Sequence, residues 1–189
     1  MTTDKVLLRE IKRHLDDFAK DCQESKKTRG EKGFNVCWDT DKKKTHVLRE
    51  CSSEGCSVDL GYCKGRSEFG TFHSHPNGDA MPSPQDVRIA IERKEQAFCI
   101  CNASSKKVGE DKIRKDLGQD YVKMIMHSFG YKVRCFKLTD DKKTRDEFMK
   151  KTRGFHFIDE DMRFATRALA DAELRPSKKT IYHPILEMK

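Results

Sequence analysis

Residues 70–86 read Gly70-Thr71-Phe72-His73-Ser74-His75-Pro76-Asn77-Gly78-Asp79-Ala80-Met81-Pro82-Ser83-Pro84-Gln85-Asp86, and this stretch decides how the rest of the chain is read. Phe69 to His75 has the look of a strand. It runs into a polar loop that holds Pro76, Gly78, Pro82 and Pro84. Ser83 followed by Pro84 is a capping residue with proline at the first helical position, and Asp86, Val87, Ile89, Ala90 and Ile91 carry the helix to about Lys94. On a strand, residues two apart project from the same face, so His73 and His75 present two imidazoles side by side. Asp86 comes eleven residues after His75, in the first turn of the helix, far enough for the loop to fold back.

Neutral imidazole suits zinc, and two His with one carboxylate leave a position open for water, as catalytic rather than structural sites do. Zinc lowers the pKa of such a water to about 7. A lone His-x-His is commonly a pair of ordinary strand histidines. Here Pro76, Ser83 and Asp86 stand with it at fixed offsets, which sharpens the reading.

His-x-His, ten residues, then Asp, with Ser three residues before that Asp, resembles the motif of the JAMM (MPN-plus) zinc metalloprotease family. His73, His75, Ser83 and Asp86 match it without a gap. The order of elements from residue 6 to residue 138 is also similar, and the resemblance covers residues 1–140, leaving 141–189 as a helical extension packed on the same domain. The resemblance implies an α+β fold with a cytidine-deaminase-like α/β/α arrangement. It implies a zinc-dependent metallo(iso)peptidase that hydrolyses an amide or isopeptide bond next to a ubiquitin-like or sulfur-carrier modifier, with zinc-bound water as nucleophile. Carried over, His73, His75 and Asp86 ligate zinc, and Ser83 donates a hydrogen bond to the developing oxyanion. The family's general base is a Glu that opens an early strand just before a Gly, and Glu31-Lys32-Gly33 is the closest match. A RadC-like branch of the same superfamily, associated with DNA repair, is the alternative. A metal-free scaffold of the MPN-minus kind would lack the ligands that this chain keeps.

Outward from this segment, 189 residues suit one domain, or one with an appendage. Leu, Ile, Val and Phe make up only about a fifth of the chain and 37% is charged, so the core is thin and the surface densely ionic. The net charge is +8 with a pI near 9.0, but the basic pairs are dispersed among acidic neighbours and lack interleaved aromatics. A solvated surface comes first, an acidic protein partner second and nucleic acid third. No apolar run is long enough to span a membrane, and charges interrupt the N-terminal apolar positions as no secretory segment would allow. The expectation is a cytoplasmic protein.

Eight cysteines without a secretory segment are expected as free thiols, with Cys99 and Cys101 acting as small hydrophobes in AFCIC. Cys51, Cys56 and Cys63, with His46 nearby, could close a structural zinc site, though their spacing is not a recognised ligand pattern. His14, His46, His127, His156 and His183 have no ligand-like spacing among themselves. Asn and Gln total only seven beside abundant Lys, Arg and Glu, a hyperthermophile bias that the Cys and Met counts oppose.

The remaining elements follow from pattern. Leu7, Leu8, Ile11, Leu15, Phe18 and Ala19 predict an amphipathic helix over 6–22, and Glu24 to Lys32 reads as a loop. Strands are expected at Phe34–Asp39, Lys43–Glu50, Ala97–Asn102, Tyr121–His127 and Lys132–Leu138, with a charged insertion at Ser104–Asp120. Helices are expected from Lys142 and over Asp161–Leu174, before a tail at Pro176. That order predicts a mixed, largely antiparallel sheet flanked by helices.

Overall fold

Helix α1 (Asp4–Thr28) sets Leu7, Ile11, His14 and Phe18 at spacings of three and four, and this face is buried. It continues to Thr28 instead of ending at Cys22, because buried Ser25 prolongs the inward face and Lys26 and Lys27 suit the negative end of the helix dipole. Arg29, in the left-handed conformation at φ 59°, closes it by donating its N–H to the Ser25 carbonyl. In this computed structural model the described residues are 3–49, 51–52, 59–60, 63, 66–76, 80–103, 114–115, 122, 130–153, 166–171 and 180–189.

Six strands form one sheet: β1 (Gly33–Asp39), β2 (Lys44–Leu48), β5 (Ser67–His75), β6 (Phe98–Asn102), β7 (Val133–Leu138) and β8 (Tyr182–Met188), in the order β2-β1-β5-β6-β7-β8. β3 (Cys51–Ser52) and β4 (Asp59–Leu60) pair separately. All neighbours in the large sheet are antiparallel except β5 and β6, which α2 (Pro84–Glu92) connects as a parallel crossover. The fold is α+β, with a mixed and mostly antiparallel sheet between helices.

Alternation along the strands builds a core on each side. Phe34, Phe72, Cys99 and Cys135 meet Leu7, Ile11 and Phe18 of α1. Phe34 and Phe72 stack with centroids 5.2 Å apart, and Phe18 meets both edge-on. On the opposite face Phe98, Ile100, Phe136 and Tyr182 cluster with Val87 and Ala90 of α2. Fully buried Glu10 fastens α1 to β2. It accepts the Thr45 hydroxyl at 2.9 Å and pairs with Arg9 and Arg13, while His14 bonds the same hydroxyl at 2.7 Å.

Three differences from the sequence reading have physical causes. The segment after 140 supplies not only α3 (Lys142–Lys151) but also β8, which completes the sheet beside β7. Its Pro184 hides the strand pattern, and is tolerated because β8 is an edge strand. Of the strand expected at 121–127 only Val122 is described, and it is helical. Six of the eight cysteines are not free: disulfides join Cys22 to Cys101, Cys37 to Cys63 and Cys99 to Cys135. Cys99 and Cys135 are register partners on β6 and β7, a proximity that sequence spacing cannot convey. Cys63, bonded to Cys37, has no thiolate for the second zinc site; Cys56 lies outside the described residues.

The α2 helix is tied down beyond its C-terminal end by Glu95, which accepts the Thr71 hydroxyl at 3.1 Å and the Thr71 N–H at 3.3 Å. Burial raises this carboxyl to about 8, against the lowering by Thr71 and Arg93. Its Oε1 is buried with no hydrogen-bond partner. The folded state therefore holds a proton that the unfolded chain releases near pH 4.5, so this group's stabilising contribution is complete below pH 4.5 and is lost as pH rises toward 8. Glu95→Gln should remove that loss. Chemical denaturation at pH 5 and pH 8 should show the variant gaining on the native protein at the higher pH, by at most on the order of 4 kcal/mol. An equal difference at both pH values would refute a protonated Glu95.

Candidate metal centre

The centre stands where β5 ends and α2 begins. His73 and His75 lie two apart on β5 and turn toward the α2 side of the sheet. Asp86 approaches from the third position of α2, held there by its own helix start. Ser83 is the N-cap, its hydroxyl accepts the Asp86 N–H at 3.2 Å, and its own N–H donates to Asp86 Oδ2 at 2.7 Å. This capping box gives Asp86 two tasks at once: it closes the helix and aims its carboxylate at the histidines.

Three contacts define the site. His73 Nε2 lies 3.2 Å from His75 Nε2, 3.1 Å separates His73 Nε2 from Asp86 Oδ1, and 3.3 Å separates His75 Nε2 from Asp86 Oδ2. Both imidazoles and the carboxylate thus turn their donor atoms to one small space, and the three residues form a group that could hold a metal ion. His73 is buried and the other two are half-buried, which leaves one side approachable. Burial pushes the Asp86 carboxyl up, but the His73 charge and hydrogen bonds from both imidazoles prevail and hold it well below the usual carboxylate range. It is therefore ionised at neutral pH.

β1 flanks the centre on the other side. Gly33 pairs with His73, and the ladder continues through the Ser74 N–H donating to the Lys32 carbonyl at 2.9 Å. Half-buried Glu31 comes one residue earlier, at the level of His75, and is not one of the three clustered donors. Glu31, Ser83, His73, His75 and Asp86 are thus brought to one end of the sheet.

Among the described residues, the remaining histidines do not join it. His14 bonds Thr45 under α1, His46 lies beside Arg66, and His183 is on β8. His127 and His156, and all but two residues of the 104–120 insertion, lie outside the described residues. Sequence reasoning overlooked buried Ser25 and Ser74, whose hydroxyls bond each other at 2.7 Å, because isolated serines carry no periodic signal. No protein-family model matches the sequence, and no curated protein is significantly similar to it.

Gly33 is needed for close approach. A Cβ there would collide with the Phe72 carbonyl and come within 2.9 Å of His73 Cα and Cβ. Gly33→Ala should force β1 and β5 apart beside His73, costing about 1–3 kcal/mol of stability and weakening any metal binding at the three donors. Denaturation and metal titration of the variant would check both; native-like values in each would show that the strands can yield.

Proposed function

We propose that this chain is a zinc-dependent hydrolase of amide or isopeptide bonds next to a ubiquitin-like or sulfur-carrier modifier, acting in the cytoplasm. The observation that carries the reading is the convergence of three side chains: the two imidazole Nε2 atoms lie 3.2 Å apart, and each lies within 3.1–3.3 Å of one of the two Asp86 carboxylate oxygens. Tetrahedral zinc with ligands at about 2.0–2.1 Å sets its donor atoms about 3.3 Å apart, a spacing close to that of the two imidazoles, and Asp86 offers a carboxylate oxygen to each of them, which supports three protein donors and an open fourth position. Bound zinc supplies an acidified water and a Lewis acid for a carbonyl oxygen.

The protein's own groups have distinct parts in this reading. Ser83 accepts a helix N–H through its oxygen, which leaves its O–H to donate to an oxyanion while it caps α2. Glu31, near His75 but outside the donor cluster, can take a proton from water and deliver it to the leaving nitrogen. Modifier chemistry rests on the motif's resemblance to the JAMM family. The charge of +8, dispersed among acidic neighbours, suits an acidic conjugate or partner. No helix among the described residues is long and apolar enough to cross a membrane.

Metal analysis should find about one zinc per chain, reduced in His75→Ala. Full occupancy in that variant, or iron in place of zinc, would overturn the centre as assigned. Incubation of the zinc-loaded protein with a modifier–protein conjugate from its own host should give chelator-sensitive cleavage. Glu31→Gln should keep its zinc and fold yet lose nearly all hydrolysis. Salt-sensitive DNA binding with no cleavage would favour the RadC-like alternative.

Ser83→Ala separates two roles of one hydroxyl. Loss of the cap should cost about 1 kcal/mol in denaturation. Loss of the oxyanion donor should lower kcat by roughly 10²–10³ with zinc content and KM nearly unchanged. A stability loss with unaltered kcat would leave Ser83 as a cap alone.

A further inference from the structure

β5 has two faces, and the metal ligands occupy one. Ser74, between His73 and His75, turns to the other face, toward α1, and is fully buried. Its hydroxyl accepts the Lys32 N–H at 2.8 Å and donates to Ser25 Oγ at 2.7 Å. Ser25, also fully buried, donates in turn to the Gly30 carbonyl at 2.6 Å. The bonds run in one direction, from Lys32 N–H through two hydroxyls to Gly30 C=O. Such a series polarises cooperatively when shielded from water. The residue enclosed between its two ends is Glu31.

A covalent link lies alongside. Cys101 is the register partner of Ser74 across β5 and β6, and Cys22 sits one turn before Ser25 on α1. The Cys22–Cys101 disulfide, with a Cα separation of 6.2 Å, fixes the distance between helix and sheet at the very level where the hydroxyls meet. Arg29, whose N–H reaches the Ser25 carbonyl at 2.8 Å, brings the chain out of the helix into the same anchor.

We propose that Ser25 and Ser74 are positioning residues for Glu31: their buried hydroxyl relay clamps the backbone on both sides of it and thereby fixes its carboxylate at the edge of the metal centre. This rests on the reading of Glu31 as the base. Neither serine touches the donor cluster, so losing the relay should leave metal binding intact while the carboxylate wanders. A displacement on the order of 1 Å is enough to cost about 10²-fold in rate.

The test uses the full chain with its disulfides intact. Ser25→Ala is two hydrogen bonds away from the Lys32 amide, yet exchange of that amide should speed up about tenfold or more. The 13C signal of the Glu31 carboxyl should respond less to added zinc, at unchanged zinc affinity. With the host modifier conjugate, kcat should fall about 10- to 100-fold at constant KM. Ser25→Thr, which restores a hydroxyl, should reverse all three changes, and Ser25→Ala with Ser74→Ala should be no slower than the worse single variant, because both cut one chain. Unaltered Lys32 exchange overturns the proposal. So does faster exchange with an unaltered Glu31 response, or with unaltered kcat where Glu31→Gln abolishes hydrolysis. If Glu31→Gln hydrolyses normally, it is the base assignment that fails; the exchange and 13C measurements then decide the anchor by themselves.

Discussion

The alternation of β5 between two buried layers is the constraint on which the other parts depend. Thr71 and His73 face the α2 side, while Phe72 and Ser74 face α1. A slip of one residue would send both imidazoles into the aromatic cluster around Phe18 and put Phe72 on the face where the imidazoles meet Asp86. The register is fixed from both sides. β1 closes in through Gly33 opposite His73, and β6 runs parallel with Ile100 beside His73 and Asn102 beside His75. The strand's position near the middle of a six-stranded sheet makes its backbone the least free to adjust.

The same strand also sets where α2 can lie. The helix is held at its start by the Ser83–Asp86 box and past its end by Glu95 on Thr71, with Val87 and Ala90 buried between. Two polar anchors of opposite character result. Asp86 stays ionised because imidazoles and a helix N-terminus surround it, whereas Glu95 has apolar burial that Thr71 offsets only in part. One carboxylate is available to a cation; the other is a neutral hydrogen-bonding post.

Much of this was legible in the chain, for reasons that differ by residue. Strands and α2 announced themselves by local chemistry: His73 and His75 at a spacing of two, and Ser83-Pro84 as a helix start. What stayed hidden was nonlocal. Cys22 and Cys101 are 79 residues apart in sequence, and nothing in either neighbourhood names the other. Ser25 looked like part of a polar loop, because its burial depends on Ser74 meeting it from another layer. Pro184 masked a strand whose edge position makes proline harmless.

The three candidate donors are therefore placed by elements with hydrogen bonds and packing of their own. In a zinc finger the metal supplies the folding free energy, since nothing else gathers the thiolates. Here two ladders and an aromatic cluster hold His73 and His75, and a helix cap made of backbone N–H groups holds Asp86. Disulfides brace the same sheet independently, one of them directly beneath the ligand strand. A metal ion bound at such a centre would not have to supply the folding free energy. Its binding free energy would remain available to favour one coordination geometry over another, as an open-sided centre with three protein donors among the described residues requires.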